Sequence, residues 1–313
     1  LLNWKFEGIV LPAVKEDPNH DLHPSKVLER PKVIYNKKTG KFVMWAHVES
    51  ADYSKACAGV AVSDFPNGPF TYLGSFRPNN AMSRDQTVFV DDDGRAYQFY
   101  SSENNETMYI SLLTDDYLKP SGRFTRNFIK ESREAPAVFK HKGKYYMLSS
   151  GCTGWDPNVA EIAVADSIMG TWKTIGNPCT GPDADKTFYA QSTYVQPVIG
   201  KKNAYIAMFD RWKKKDLEDS RYVWLPVLIK DGAITIPWHE KWDLTSLTNR
   251  RKSRQITRKS RQNRKNKIMK RTLLLTFYYY LFLPCAFRKN WWKLPKDIVV
   301  HLSIQRYSAI IHW

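Results

Sequence analysis

Cysteine is scarce in this 313-residue sequence, and its four copies at positions 57, 152, 179 and 285 form no C-x-x-C pair. A zinc site built from paired cysteines is therefore not indicated, because such sites need ligand pairs at short spacing. Cys152 and Cys179 would form a disulfide only in an oxidising compartment, and the sequence alone does not bring them within reach. We expect no metal and no cofactor, and leave open only a structural calcium ion.

Glycine and acidic residues are almost missing from the end of the chain. Residues 246–313 contain no glycine and a single acidic residue, Asp297, but 17 of the 48 lysines and arginines. The formal net charge of +17 therefore comes from this tail, since residues 1–245 carry 31 basic and 30 acidic residues. A nearly neutral body argues against nucleic acid as a partner.

Long apolar runs are also absent. The most apolar stretch of the tail, residues 272–287, contains Pro284 and is shorter than the roughly 20 residues that a membrane span needs. A basic arm for nucleic acid, a membrane anchor and a segment that is not selected as protein are the three interpretations of the tail. We favour the last, and predict that residues 1–245 form the functional domain and that residues 246–313 lie outside the fold.

A short phrase occurs four times in the body: a polar lead residue, a short strand, a turn and a second strand. The lead residues, separated by 56, 49 and 57 positions, are Glu29, Asp85, Glu134 and Gln191. Strand-rich repeats of this length, with turns every 8 to 12 residues or so, are typical of β-propeller blades. Because the innermost strands of the blades line one central channel, we expect the four lead side chains to converge in a polar pocket.

Glu134 is the candidate proton donor. Glycoside hydrolysis needs one carboxyl group that gives a proton to the leaving oxygen and a second group that activates water or attacks. Burial and the charge of Asp85 on the preceding blade would raise the pKa of Glu134 as this role requires. In the alternative interpretation, Glu134 is a strand-end acid paired with Arg133 or with an arginine of another blade.

Four ordered motifs resemble glycoside hydrolase family 43, and within it the exo-β-1,3-galactanase branch. The motifs are Arg-Glu-Ala-Pro-Ala-Val-Phe-Lys around Glu134, Ser-Ser-Gly-Cys-Thr-Gly-Trp-Asp-Pro-Asn at 149–158, Ala-Gln-Ser-Thr-Tyr-Val around Gln191, and Asp-Ser-Arg-Tyr-Val-Trp-Leu-Pro at 219–226. The resemblance covers about residues 4–245. It implies an all-β, five-bladed propeller that removes terminal galactose from the β-1,3-galactan backbone of arabinogalactans with inversion.

The resemblance also implies roles for the lead residues, with Glu134 as the general acid and Asp85 as the acid that tunes its pKa. Most of the family takes its base from an aspartate of the first blade, whereas this chain is similar to the galactanase branch in offering Gln191. An amide is a poor base, so Gln191 either holds the water or acts through its imidic-acid tautomer, and Glu29 is the alternative base. The acid and base of an inverting site stand roughly 6.5 to 9.5 Å apart.

Several further residues are candidates for sugar binding. We favour Gln191 for positioning water and Glu29 for binding sugar hydroxyls. Trp155 lies in a loop, where its indole either stacks on the apolar face of a galactose ring or anchors the loop. The remaining candidates for hydroxyl contacts are Tyr53, Thr153 and Asp156.

The chain departs from the family pattern at both ends. Only four lead residues are present where five blades are expected, and the sequence begins at Leu1 with neither a methionine nor a signal peptide. We therefore expect a propeller that is incomplete at its N-terminus and carries a non-homologous basic tail. An arabinofuranosidase or xylosidase of the same family and an inactive carbohydrate-binding propeller are the alternative functions. By family analogy we expect a secreted or periplasmic monomer that acts on an oligo- or polysaccharide.

Overall fold

The computed structural model describes residues 6–247, 300–305 and 308–311. Strands dominate these residues, joined by turns and by short 3-10 segments, and they form four sheets. The sheets belong to a unit made of residues 1–240 and 296–313. A second unit, residues 241–295, is described only at 241–247, where Leu244–Leu247 form a 3-10 turn.

Blades one and two are antiparallel meanders. Blade one contains β1 (Ile9–Pro12), β2 (Val27–Tyr35), β3 (Phe42–Glu49), β4 (Cys57–Ser63) and β5 (Thr71–Phe76). Blade two contains β6 (Gln86–Val90), β7 (Ala96–Ser102), β8 (Thr107–Leu113) and β9 (Pro120–Asn127). β1 does not pair with β2, so the two meanders are β2 to β5 and β6 to β9. In both meanders the second strand, β3 or β7, is almost entirely buried, because it packs between its two sheet neighbours and against the adjoining blades.

Blades three and four repeat this arrangement. Blade three contains β10 (Arg133–His141), β11 (Lys144–Gly151), β12 (Glu161–Ala165) and β13 (Lys173–Gly176). Blade four contains β14 (Cys179–Thr180), β15 (Gln191–Pro197), β16 (Tyr205–Arg211), β17 (Arg221–Lys230) and β18 (Ala233–Pro237). The short β14 pairs in parallel with β18 at the outer edge, and all other pairs of these two blades are antiparallel.

Two strands of the tail extend blade one. β19 (Val300–Gln305) pairs with β2, and β20 (Ser308–Ile311) pairs with β19 and β1. The other residues of the tail after residue 247 lie outside the described residues. The prediction that the tail is not part of the fold therefore stays a prediction.

The sheets confirm the all-β propeller, but the described residues form four blades and not the five that the family resemblance implies. Each lead residue stands at or next to the start of an inner strand, in β2, β6, β10 and β15. The four copies of the repeat thus correspond to the four blades, one lead residue to each.

Two inner strands contain the same irregularity. In Glu29-Arg30-Pro31 and Glu134-Ala135-Pro136 the pairing register shifts, and the middle residues adopt positive φ values of 50° and 53°. Proline has no N–H for the ladder, which favours a bulge at this point. The next blade satisfies the carbonyl of each middle residue: Gln86 Nε2 donates to Arg30 O, and Ser192 Oγ donates to Ala135 O, both at 2.7 Å. Contacts between blades therefore hold both bulges.

Aromatic side chains fill the interfaces between the blades. Trp45 is buried between blades one and two. Phe99 and Trp172 meet edge to face at 5.8 Å between blades two and three, and Phe139 lies 5.1 Å from Tyr205 between blades three and four. Large buried rings contribute strongly to such interfaces. This packing brings the starts of the inner strands to the same end of the propeller.

Candidate active site

An open cavity of about 740 Å³ lies at the end of the propeller where the inner strands begin. The four lead residues all line it: Glu29, Asp85, Glu134 and Gln191. The loops that join the second and third strands of the meanders open onto the same cavity, and contribute Tyr53, Asn105, Trp155 and Trp212. Three of the lead residues thus lie on inner strands and Asp85 directly before one, whereas the aromatic residues of this group lie on loops.

Glu134 is half-buried at the bulge of β10. Burial and the negative charge of Asp85 raise its pKa to about 7, against the opposing effects of the Arg30 charge and of a hydrogen bond from Gln191. The carboxyl group therefore retains its proton up to neutral pH, as a proton donor must. Arg133 does not pair with Glu134, and instead donates to Ser149 O at 3.0 Å and pairs with Glu161 at 3.3 Å.

Asp85 links three blades through its carboxylate. It precedes β6, accepts a hydrogen bond from the Ala135 N–H at 3.1 Å, and pairs with Arg30 Nε at 3.1 Å. The first contact fixes Asp85 against the bulge that carries Glu134. The position agrees with the expected role of Asp85 in raising the pKa of Glu134.

Arg30 is a central side chain of the site that sequence analysis did not identify. Its side chain is 8% exposed, pairs with Asp85 and with Asp210 at 3.5 Å, and donates to Gln191 Oε1 and to Ser192 O at 3.3 Å. Asp210, also not identified, lies opposite Gln191 in the pairing of β15 with β16. The sequence signal at Arg30 is its charge inside an inner-strand phrase, directly after the lead residue, and this signal does not give the direction of the side chain.

The neighbours of Gln191 fix the orientation of its amide. A guanidinium has only donors, so the Gln191 oxygen faces Arg30 and the nitrogen faces the other way. That nitrogen donates to Glu134 Oε1 at 2.8 Å and to Ser150 Oγ at 2.9 Å. The expected separation between acid and base is therefore not found in this structure, because a direct hydrogen bond joins the two side chains.

Glu29 also lines the cavity, and each of its oxygens has a neighbour of its own blade. Tyr53 Oη donates to Oε1 at 2.8 Å, and His47 Nδ1 lies 3.2 Å from Oε2. Burial alone would raise the pKa of Glu29, but the hydrogen bonds and the charge of His47 outweigh it and lower the pKa. Sequence analysis did not identify His47, because it stands in the apolar run of β3, which has the pattern of a core strand.

The sequence matches the family described as Glycosyl hydrolases family 43 over residues 12–198. This chain belongs to glycoside hydrolase family 43. The resemblance found in the motifs around Glu134 and Gln191 is thereby confirmed, and the chain is a glycosidase. No curated protein sequence matches it.

Solved family-43 structures align with most of the chain. A β-1,3-galactosidase solved with galactodeoxynojirimycin is 45% identical, with 77% of this chain and 84% of that chain covered, at a TM-score of 0.75. An exo-β-1,3-galactanase from Phanerochaete chrysosporium, solved with galactose, is 36% identical, with 72% and 52% covered, at a TM-score of 0.68. An exo-β-1,3-galactanase from Clostridium thermocellum is 37% identical, with 72% and 51% covered, at a TM-score of 0.66.

Three candidates for sugar binding lie in the loop after β11, and one of them reaches the cavity of this family-43 chain. Trp155 lines the cavity and packs edge to face against Trp212 at 5.8 Å. Thr153 and Asp156 are not among the residues that line it. Thr153 Oγ1 donates to Asp156 O at 2.6 Å and accepts from Asn158 Nδ2 at 2.6 Å, so these residues shape the loop.

One group of side chains in the described residues has the spacing of a metal site: Glu29, His47 and Asp85, whose potential ligand atoms lie within 4.8 Å of one another. Asp85 is already paired with Arg30, and both nitrogens of His47 lie near carboxylates. Calcium prefers about six to eight oxygen ligands, which this group does not offer. We therefore assign no metal to this family-43 site.

Cys152 and Cys179 are free thiols and do not form a disulfide in this structure. Cys152 lies beside the site, where its Sγ donates to Ser132 O at 3.2 Å, whereas Cys179 is buried in the core between blades three and four. Among the residues that the structure describes, no helix has the length and apolar character to cross a membrane.

Proposed function

We propose that this family-43 chain removes terminal galactose from β-1,3-galactan with inversion of the anomeric centre. The observation that carries the proposal is Glu134, a half-buried carboxyl group whose pKa is raised to about 7 and which faces a cavity of about 740 Å³. The choice of sugar is supported by the similarity to the β-1,3-galactosidase and to the galactanases, each aligned over at least 72% of this chain.

In this mechanism Glu134 gives its proton to the glycosidic oxygen as the bond to the anomeric carbon breaks. Asp85, paired with Arg30, supplies a negative charge that disfavours early ionisation of Glu134. Water attacks the anomeric carbon from the opposite face of the sugar. The Glu134 proton leaves with the alcohol, and the water oxygen becomes the new anomeric hydroxyl. The proton that the water loses passes to solvent, from which Glu134 is protonated again.

Gln191 positions the attacking water in the proposal. Because Gln191 Nε2 now lies 2.8 Å from Glu134 Oε1, the bound sugar must separate the two side chains before water can enter. Arg30 and Ser150 contact the amide and support its orientation during this step. The amide oxygen has a second lone pair, which accepts a hydrogen bond from the water while the first accepts one from Arg30.

The aromatic rim supports binding of a sugar. Tyr53, Trp155 and Trp212 line the cavity and are partly exposed. An indole stacks favourably on the apolar face of a pyranose and is partly exposed where it anchors a ligand. We assign Trp155 to stacking and Glu29 with Tyr53 to hydroxyl binding.

Product analysis tests the proposal. The full chain is incubated with β-1,3-galactan, released galactose is quantified, and the first anomer formed is identified by proton NMR. We expect galactose as the α-anomer, and release that is about 10²- to 10⁴-fold slower in Glu134→Gln. Release of arabinose or xylose from aryl glycosides, with galactan untouched, would replace the proposal by an arabinofuranosidase or xylosidase.

A non-catalytic carbohydrate-binding propeller is the second candidate, favoured by the aromatic rim and by the direct contact between Gln191 and Glu134. Calorimetric titration with β-1,3-galactobiose distinguishes it from the hydrolase. Binding that is unchanged in Glu134→Gln, together with no turnover by the parent, would support it.

Three further expectations, on the fold, the oligomeric state and the location, are part of the proposal. The five-bladed fold that the family resemblance implies, monomeric behaviour and a secreted or periplasmic location all follow from family analogy. A crystal structure counts the blades, light scattering gives the mass in solution, and fractionation of the source cells gives the compartment.

A further inference from the structure

His47 lies buried between two carboxylates at the wall of the cavity. Its Nδ1 is 3.2 Å from Glu29 Oε2, and its Nε2 is 3.2 Å from Glu49 Oε1. Glu49 is fully buried and accepts a further hydrogen bond from the Ala56 N–H at 2.8 Å. A chain of carboxylate, imidazole and carboxylate therefore runs from the cavity into the core of blade one.

Nε2 of His47 is hydrogen-bonded to Glu49, and Nδ1 lies at ion-pair distance from Glu29 without the geometry of a hydrogen bond. Carboxylates beside both nitrogens favour the doubly protonated ring, because a neutral imidazole carries a proton on only one of them. Three further groups lie near His47 or its carboxylate partners. Asp85 adds negative charge from blade two, Arg84 Nε lies 3.5 Å from the far carboxylate of Glu49, and the Tyr53 ring is 6.3 Å away. The acidic neighbours outweigh burial and raise the pKa of His47 to about 9.

The imidazolium determines what Glu29 can do. An ionised carboxylate has only acceptor sites, about four in all. Oε1 of Glu29 accepts a hydrogen bond from Tyr53, and Oε2 is paired with His47. The Glu29 side chain is 33% exposed, and that exposed part faces the cavity. Its remaining lone pairs can accept hydrogen bonds from a molecule bound in the cavity, and sugar hydroxyls donate such bonds. A carboxylate held this way has little tendency to take a proton from water.

We propose that His47 is a positioning residue that holds Glu29 as a fixed, ionised acceptor for a galactose hydroxyl, so that Glu29 determines sugar specificity and is not the base. Glu49 accepts a hydrogen bond from Nε2 of the imidazolium and so fixes the orientation of the ring. The inference rests on the proposed galactosidase function, which supplies the sugar. The protonation state of His47 can be measured without it.

The first measurement is nitrogen-15 NMR of the full chain labelled at histidine. The His47 resonances are those lost in His47→Gln or, if that variant does not fold, those that shift in Glu49→Gln. We expect both ring nitrogens to be protonated from pH 6 to 8. A neutral imidazole at pH 7, or an imidazole whose resonances change on addition of a chelator, would overturn the proposal.

The second measurement separates specificity from catalysis. We expect Glu29→Gln to raise KM for galactan about 10- to 100-fold, as for the loss of one charge-assisted hydrogen bond, and to leave kcat nearly unchanged. Glu49→Gln should raise KM in the same direction by a smaller factor. The matched control is Glu16→Gln, an exposed glutamate away from the cavity, which should change neither constant.

Calorimetry with single-deoxy galactosides identifies the hydroxyl. Removing the hydroxyl that donates a hydrogen bond to Glu29 should weaken binding to the parent. The same change should have little effect on binding to Glu29→Gln, because the interaction is already lost there. The proposal would be contradicted if the loss of each hydroxyl weakened binding equally in the parent and in Glu29→Gln. It would also be contradicted if kcat fell about 100-fold in Glu29→Gln with KM unchanged, a result that would favour Glu29 as the base. A parent that binds galactosides without turnover would instead remove the proposed enzymatic function and leave the role of His47 standing.

Discussion

Glu29 and Glu134 stand at equivalent bulges in blades one and three, each followed by a residue with positive φ and then by proline. Both line the same cavity. The pKa of Glu134 is nevertheless raised to about 7, whereas the pKa of Glu29 is lowered. A shared backbone feature therefore delivers two carboxyl groups to one site without setting their charge.

The difference comes from the groups that face each carboxyl. Glu29 meets donors of its own blade, His47 on β3 and Tyr53 in the following loop. Glu134 meets the Cys152 thiol of its own blade, but its other neighbours belong to other blades: the negative charge of Asp85 and the neutral amide of Gln191. Contacts within a blade fix the ionised carboxylate, and contacts between blades tune the protonated one.

Replacing each carboxyl by its amide should give the largest contrast. We expect Glu134→Gln to lower kcat about 10²- to 10⁴-fold, because the general acid is lost, whereas Glu29→Gln should act on KM. Initial rates on β-1,3-galactan across a substrate series measure both constants. Equal losses of kcat in the two variants would mean that the two carboxyl groups do not have separate roles.

Arg30 distinguishes the bulge of blade one from that of blade three, where Ala135 takes its place. Arg30→Met removes the guanidinium that pairs with the largely buried Asp85 and Asp210, and we expect a loss of about 3–5 kcal/mol in the free energy of unfolding at pH 7. Urea denaturation measures it. The matched control is Arg221→Met, whose exposed pair with Asp219 should contribute less than about 1 kcal/mol. Similar losses in both variants would contradict the central role of Arg30.

Asp85→Asn should move the pH profile without abolishing turnover. Glu134 must hold its proton to act, so kcat/KM is expected to fall as the pH rises through about 7. Removing the negative charge of Asp85 makes ionisation of Glu134 easier, and the basic limb should move to lower pH by about one unit or more. A basic limb that stays in place would show that burial alone sets the pKa of Glu134.

The smallest effect is expected at an equivalent pair of surface contacts. Lys41 pairs with Asp64 at 2.6 Å in blade one, and Lys144 pairs with Asp166 at 2.5 Å in blade three. All four side chains are largely exposed, so Lys41→Ala or Lys144→Ala should change the free energy of unfolding by less than about 1 kcal/mol. Thermal melts of the two variants test this, and a large loss in only one would mean that the two blades differ beyond their bulges.

The lead residues could be found from sequence because they recur in a fixed phrase. Glu29, Asp85, Glu134 and Gln191 precede strands whose apolar pattern is clear, and the topology of a propeller then brings them together. The same reasoning missed β9, because its eight residues are mostly polar and exposed and lack the alternation of a half-buried strand.

Arg30, His47 and Asp210 could not be found in this way. Arg30 follows a lead residue, and the alternation of sides along a strand fails at the bulge, so its direction could not be read from the sequence. His47 and Asp210 stand on second strands whose other residues are core, and their partners come from different parts of the chain. Their importance is visible only in three dimensions.

The contacts of Arg30 also bear on how the protein folds. Its partners Gln191 and Ser192 lie 161 and 162 positions further along the chain. Contacts of such high sequence separation carry a large loop-closure entropy and form slowly. A chain that has emerged from the ribosome only as far as blade three contains Glu134 and Asp85, but not yet the residues of blade four that accept hydrogen bonds from Arg30. We therefore expect catalytic competence to appear as one of the last events of folding.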